Sequence, residues 1–104
     1  MATAIPQSNL VMTVRLKVKP RSVNKMRIIS QDLISASRSE EGSILYLFNE
    51  SRDDETEFFI CMVWRDEESY KKHAASRYVR AFDNEIAREI LEKRFAMEKW
   101  HSLG

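Results

Sequence analysis

The sequence predicts an α+β domain whose elements follow the order β-α-β-β-α-β. Segments 43–49 and 57–64 are rich in aromatic and β-branched residues, which is typical of buried strands. A third segment, 9–19, alternates apolar and polar residues, and this period of two indicates another strand. After the first and third strands, apolar residues recur at the spacing of amphipathic helices.

The first half of the chain contains a strand, a helix and a second strand. Strand 9–19 is expected to end at Pro20, which lacks the N–H that a sheet needs. Ser22 is predicted to cap the helix that follows, and Leu33 lies on the apolar stripe of that helix. Gly42 makes the turn into strand 43–49, and a polar loop then leads to strand 57–64.

The second half begins at Asp66, a predicted N-cap with acidic residues in the first helical turn, where the helix dipole favours negative charge. This helix carries His73, is expected to break over 74–77, and resumes from Tyr78 to Leu91. The final segment is predicted as a strand because residues 94–101 alternate. The whole order is that of the ferredoxin-like fold, a four-stranded antiparallel sheet with helices on one face.

Strand 57–64 is apolar on both of its faces, so neither face could be left in water at low cost. The helices can cover the face that carries Met62 and Trp64. The opposite face, which includes Phe59 and Cys61, is predicted to meet a second copy of the chain. The interface of such a homodimer should bury about 2,000 Å² or more.

Composition narrows the possible functions. The 104 residues suffice for one domain, which we assign to residues 9–104 after a flexible arm over residues 1–8. The 17 basic and 16 acidic residues are mixed along the chain, so no nucleic-acid partner is expected. Two histidines and one cysteine match no metal-ligand spacing, and two glycines are too few for a nucleotide-binding loop. No membrane span or signal peptide is expected, and the lone cysteine favours the cytoplasm.

Several short motifs lie at the ends of the predicted elements. They are Val18-Lys19-Pro20 after the first strand, Ser37-Arg38-Ser39-Glu40-Glu41-Gly42 before the second, Tyr46 within it, Trp64 followed by Asp66-Glu67-Glu68-Ser69-Tyr70, and His73 nine residues after Trp64. Over roughly residues 11–100, this pattern resembles the antibiotic biosynthesis monooxygenase family. The resemblance implies a dimeric α+β barrel, built from two ferredoxin-like domains.

The resemblance also implies an activity, because members of that family oxygenate quinols and polycyclic phenols without flavin or metal. A deprotonated quinol can give an electron to dioxygen directly, so the protein needs a dry apolar pocket and groups that handle protons. We predict His73, which matches the family histidine, and Tyr78 as the catalytic groups, with no cofactor. The predicted substrate-binding residues are Val14, Leu33, Met62, Trp64 and Phe82.

Departures from the family pattern leave two functions open. Val14 and Tyr78 stand where the haem-degrading branch has an asparagine and the iron-binding histidine, so haem degradation is disfavoured. Met62 stands where many members have an acidic residue, which removes a carboxylate base from the third strand. The chain is therefore either a cofactor-independent monooxygenase acting on a quinol-like or polyphenolic substrate with dioxygen, or a non-catalytic dimeric protein that binds a small ligand.

Overall fold

A computed structural model describes residues 9–104, and the predicted arm over residues 1–8 lies outside this range. The strands are β1 (Leu10–Val18), β2 (Ser43–Glu50), β3 (Glu57–Trp64), β4 (Leu91–Arg94) and β5 (Glu98–His101). The helices are α1 (Val23–Arg38), α2 (Glu67–Ala74), α3 (Arg77–Ala81) and α4 (Ala87–Ile90). A 3-10 turn (Pro20–Ser22) precedes α1, and a π-helical turn (Phe82–Ile86) joins α3 to α4 in one helical run.

The strands form one antiparallel sheet in the order β2-β3-β1-β4, and β5 also pairs with β1. β1 pairs on one side with β3 and on the other side with both β4 and β5, whereas β2 lies at the edge of the sheet beyond β3. The α+β class and the antiparallel sheet of the sequence prediction are confirmed. The sheet is four strands wide, but its last position is filled by two short strands.

That division corrects the prediction of a single final strand over 94–101. The helical run ends at Ile90 rather than Leu91, because the N–H of Lys19 donates to the carbonyl of Ile90 over 2.8 Å and draws the chain onto the edge of β1. Residues 95–97 then interrupt the strand. These three residues pass beside the helices and contribute to the cavity described below.

The two helix caps behave differently. Asp66 caps α2 as predicted, since its Oδ1 accepts the backbone N–H of Ser69 over 2.8 Å. Ser22 occupies the N-cap position of α1, but its side chain makes no capping hydrogen bond. The 3-10 turn explains the difference, because it extends the helical path back to Pro20 and makes Ser22 part of a turn.

The helices cover one face of the sheet, here called the inner face. Residues of β1 and β3 that pair across the ladder supply most of its buried side chains, as Met12 does with Met62 and Val14 with Ile60. Trp64, at the end of β3, has no exposed surface. No helix within residues 9–104 is long and apolar enough to cross a membrane.

Within residues 9–104, no helix covers the opposite, outer face of the sheet, which exposes large apolar side chains. Leu47 and Phe59 are each 41% exposed, and Trp100 of β5 is 51% exposed. Trp100 is held in place on this face, because its Nε1–H donates to Thr13 Oγ1 over 2.7 Å. Leu47, Phe59 and Trp100 thus present apolar side chains to solvent on this face.

Candidate functional site

A cavity of about 420 Å³ lies between the inner face of the sheet and the helices. Such a volume falls within the range of small-molecule sites. Its walls are mainly apolar and aromatic. The lining residues are Val14, Leu16, Leu33, Tyr46, Ile60, Met62, Tyr70, His73, Ala74, Val79, Phe82, Asp83, Arg94, Phe95, Ala96 and Met97.

His73 is a buried titratable group of this lining. It lies in the last turn of α2 and is only 5% exposed. Its Nδ1 is 2.8 Å from Oε2 of Glu40, and the indole ring of Trp64 packs beside the imidazole with the ring centres 4.5 Å apart. Carboxylate and indole together fix the orientation of the imidazole.

Glu40 joins His73 to a third side chain, Tyr78. The Tyr78 hydroxyl donates to the same Oε2 of Glu40 and lies 3.3 Å from Nδ1 of His73. Burial, together with the hydrogen bond to Glu40, raises the pKa of Tyr78 to about 12. Tyr78 therefore keeps its proton at neutral pH and acts as a donor to the carboxylate. We call these three residues the Glu40–His73–Tyr78 cluster.

The cluster determines which nitrogen of His73 is free to react. A carboxylate accepts hydrogen bonds, so Nδ1 carries the proton that is directed at Glu40. Nε2 of the neutral ring is then a hydrogen-bond acceptor, and it has no partner among residues 9–104. Because His73 lines the cavity, Nε2 is the group able to take a proton from a bound molecule.

The local fold brings Glu40 and His73 together from segments that are distant in sequence. Gly42, two residues after Glu40, packs directly on Ser69 in the first turn of α2. A Cβ at Gly42 would lie 2.1 Å from Ser69 Oγ, which no side chain could tolerate. The carbonyl of Gly42 also accepts the N–H of Arg65 over 2.8 Å. This contact seats α2 against the turn before β2, and His73 faces Glu40 as a result.

Tyr46 adds a polar group to the cavity wall. It lies on the inner face of β2, is 4% exposed, and its ring centre is 6.0 Å from that of His73. Burial raises the pKa of Tyr46 to about 12, so its hydroxyl also remains protonated. A protonated phenol beside the cavity can donate a hydrogen bond to an anionic oxygen of a ligand.

The structure brings together most of the site residues predicted from the sequence. Five of them line the cavity: Val14, Leu33, Met62, His73 and Phe82. Two predicted residues do not belong to the lining. Trp64 was expected in the wall but lies behind His73 without exposed surface, and Tyr78 contacts Glu40 behind the imidazole. The roles of all seven residues in binding and catalysis stay predictions.

Sequence reasoning missed Glu40 and Tyr46 as site residues. Both belong to motifs that carry the family resemblance, and that was the available signal. The third strand has Met62 where many family members have an acidic residue, but a carboxylate reaches His73 from the turn before β2 instead. Within residues 9–104, no three His, Cys, Asp or Glu side chains are grouped so that they could hold a metal ion.

Comparison with known proteins decides the family. A sequence model described as antibiotic biosynthesis monooxygenase matches residues 9–85. The chain belongs to this family. Among curated proteins, it is 33% identical over 73 residues to "Uncharacterized protein sll1783" of Synechocystis, a match covering 70% of this chain and 50% of that protein. It is 30% identical over 73 residues to "Putative monooxygenase YcnE" of Bacillus subtilis, a match covering 70% of this chain and 77% of that protein.

Solved structures share the fold. Protein SO0527 from Shewanella oneidensis superposes with a TM-score of 0.87 at 22% identity, over 94% of each chain. A "Putative antibiotic biosynthesis monooxygenase" from Nitrosomonas europaea superposes with a TM-score of 0.84 at 17% identity, over 97% of this chain and 96% of that one. The chain spans only half the length of the Synechocystis relative.

Proposed function

We propose that this chain is a cofactor-independent monooxygenase that oxidises a quinol-like or polyphenolic molecule in the cavity. The observation that carries the proposal is the position of His73. Its Nδ1 is held by the carboxylate of Glu40, and its ring lines an apolar cavity large enough for a small aromatic molecule. This arrangement supplies a general base in a setting with little water, which are the two things that oxygenation of an electron-rich substrate requires.

The proposed reaction begins with proton transfer. Nε2 of His73 takes the proton of a substrate hydroxyl, and Glu40 stabilises the imidazolium that results. The substrate anion then gives an electron to dioxygen, and the two radicals combine to form a carbon–oxygen bond. Cleavage of the O–O bond leaves one oxygen atom in the product. The other leaves as water with the two hydrogens that the substrate loses, so the reaction consumes no separate reductant.

The lining is suited to a flat, apolar substrate. Met62 and Ile60 form the floor on the sheet, and Phe82 faces them from the helical run. Burial raises the pKa of Tyr46 to about 12, so its hydroxyl stays protonated at neutral pH and is proposed to donate to the oxygen anion that His73 creates. Haem degradation is not proposed, because the apolar Val14 lines the cavity and the Tyr78 hydroxyl is directed at Glu40.

We further propose that the chain acts as a homodimer joined through the outer face of the sheet. Leu47 and Phe59 are 41% exposed there, and Trp100 is 51% exposed. Several large apolar side chains exposed on one face of a small domain are the kind of surface that a partner covers. A second copy would cover it while leaving the cavity, on the inner face, accessible.

Oxygen uptake with a panel of quinols and polyphenols tests the activity, using protein that has been checked for flavin, haem and metal. We expect uptake that depends on the protein and that falls about 100-fold or more in His73→Ala, the usual scale for loss of a general base. The variant should keep its quaternary structure and its cooperative unfolding. Lys72→Ala, which changes an exposed neighbour on the same helix, should retain full activity.

One result would favour the second function, a small-ligand-binding protein without catalysis. In that case aromatic ligands would bind to the wild type and oxygen uptake would equal the uncatalysed rate with every member of the panel. The feature that favours this alternative is Met62, which stands on the third strand where many family members have an acidic residue. Binding without turnover would overturn the oxygenase proposal.

A further inference from the structure

Arg94 of β4 lies at the edge of the sheet, on the same side as the cavity. It pairs with Leu16 across the β1–β4 ladder, and Leu16 is a core residue of the inner face that is only 2% exposed. Directly paired residues lie on the same side of a sheet, so Arg94 is on the helix-covered side. Its neighbour Lys93 pairs with Lys17 and lies on the outer side. The Arg94 side chain lies at the edge of the sheet and remains 44% exposed, so the guanidinium can be reached from solvent on this side.

The partner within the chain is Asp83, in the π-helical turn. Nη1 of Arg94 is 3.1 Å from Oδ1 of Asp83, with both side chains nearly half exposed, at 44% and 43%. Both residues line the cavity, and of the lining within residues 9–104 they are the one guanidinium and the one carboxyl side chain. An ion pair at this exposure contributes little to stability, so a ligand can displace it at small cost.

Arg94 and His73 lie at different ends of the cavity. Tyr46, which contacts the His73 ring, is level with Met62 and hence with Met12 of β1. Arg94 is level with Leu16, four residues further along β1. At about 3.3 Å per residue, the two levels are separated by roughly 13 Å along the sheet. A molecule bound between them meets a proton acceptor at one end and a guanidinium at the other.

We propose that Arg94 selects ligands that carry a carboxylate at the end of the aromatic body remote from the hydroxyl that faces His73. A guanidinium binds a carboxylate through two parallel N–H donors, and contact with Asp83 through Nη1 leaves other donors of Arg94 for this purpose. Asp83 competes with the ligand for the same cation and so limits its affinity. The inference rests on the proposed function for the orientation of the hydroxyl, and it names the substrate class for that site.

Three naphthalene probes test this selection by calorimetric titration under nitrogen. They are 2-naphthol, 6-hydroxy-2-naphthoate, with its polar groups at opposite ends, and 3-hydroxy-2-naphthoate, with the same groups adjacent. The wild type should bind the 6-hydroxy acid about tenfold or more tightly than either other probe, the scale of a hydrogen-bonded charge pair. Arg94→Gln should remove this preference and leave 2-naphthol within twofold, while Lys93→Gln, with the same charge change on the outer side, should keep it.

Asp83→Asn provides the opposite test. It frees Arg94 from its competitor, so the affinity for the 6-hydroxy acid should rise several-fold while that for 2-naphthol stays constant. Equal affinities for all three probes in the wild type, or an Arg94→Gln variant that weakens all three alike, would overturn the proposal. Because the titrations require no turnover, selective binding without oxygen uptake would refute only the oxygenase proposal, and uptake without selectivity would refute only this one.

Discussion

Replacement of Glu40 by Gln removes the negative charge beside His73 while keeping the size of the side chain. The carboxylate is 2.8 Å from Nδ1, and its side chain is only 22% exposed, so solvent screens the pair weakly. A glutamine can offer either its carbonyl or its amide N–H to Nδ1. In the second case the ring proton moves to Nε2, and the nitrogen that we propose as the base can no longer accept a proton.

The geometry sets the magnitude of the effect. A hydrogen bond to a charged group contributes about 1.5–3 kcal/mol, and each 1.4 kcal/mol on a barrier is about tenfold in rate. Glu40→Gln should therefore lower kcat by about 10- to 150-fold, with a smaller change in KM, since Glu40 is not in the cavity lining. The neighbouring Glu41 offers a matched control. Its side chain is 89% exposed and its salt bridge is to Arg65, so Glu41→Gln should leave kcat unchanged.

Two measurements check this prediction. Oxygen uptake gives kcat and KM for the quinol that the wild type turns over fastest. Nitrogen-15 NMR of the imidazole reports which ring nitrogen of His73 is protonated, and it does so whether or not the protein is active. Wild-type rates in Glu40→Gln together with an unchanged tautomer would show that the carboxylate does not position His73, and the reasoning from the Glu40–His73–Tyr78 cluster would be refuted.

Three further predictions concern stability and assembly. Trp64→Ala should lower the free energy of unfolding by about 3–5 kcal/mol in urea titrations, because the indole is fully buried; a loss below about 1 kcal/mol would contradict this packing. Phe59→Glu should convert the proposed dimer to monomer, or unfold it, in sedimentation experiments. Ile28→Glu, at a helix position that is 70% exposed, should leave the dimer intact. A wild type that sediments as a folded monomer at micromolar concentration would refute the dimer. Burial raises the pKa of Tyr46 from 10.0 to about 12, so its contribution to stability is present below pH 10 and is lost as the pH rises to about 12. The wild type should lose up to about 3 kcal/mol more than Tyr46→Phe over that range, and parallel alkaline unfolding curves would contradict the shift.

The regular part of the fold was predictable because local patterns determine it. Alternation located β1, continuous apolar runs located β2 and β3, and the cap at Asp66 located the start of α2. The end of the chain was not predictable in the same way. The conformation of Leu91 and of residues 95–97 depends on pairing with the edge of β1, whose residues come more than 70 positions earlier in the chain. Local periodicity carries no information about that pairing.

The site was predictable only where the alternation of side chains along a strand, or the spacing of apolar residues along a helix, assigned a residue to one face. Val14, Met62 and Phe82 were placed correctly on the side of the cavity for this reason. Glu40 lies in a turn, where no period applies, and its approach to His73 depends on the close contact of Gly42 with α2. Trp64 was assigned to the correct face of β3. Alternation along a strand does not distinguish a residue that lines the cavity from one that packs behind the lining, as Trp64 does.

The interruption of the final strand has a consequence for how the family could diversify. Glu40 and His73, which are proposed to handle protons, fall within residues 9–85, the part that matches the family model. Residues 94–97, which complete the cavity, lie after the part that matches the family model. Of these residues, Arg94 pairs with β1 at the edge of the sheet. Under the two proposals above, the proposed base His73 lies inside the part that matches the family model, and Arg94, proposed to select the ligand, lies outside it. Substitutions at Arg94 are then expected to change which ligands bind without altering the residues around His73.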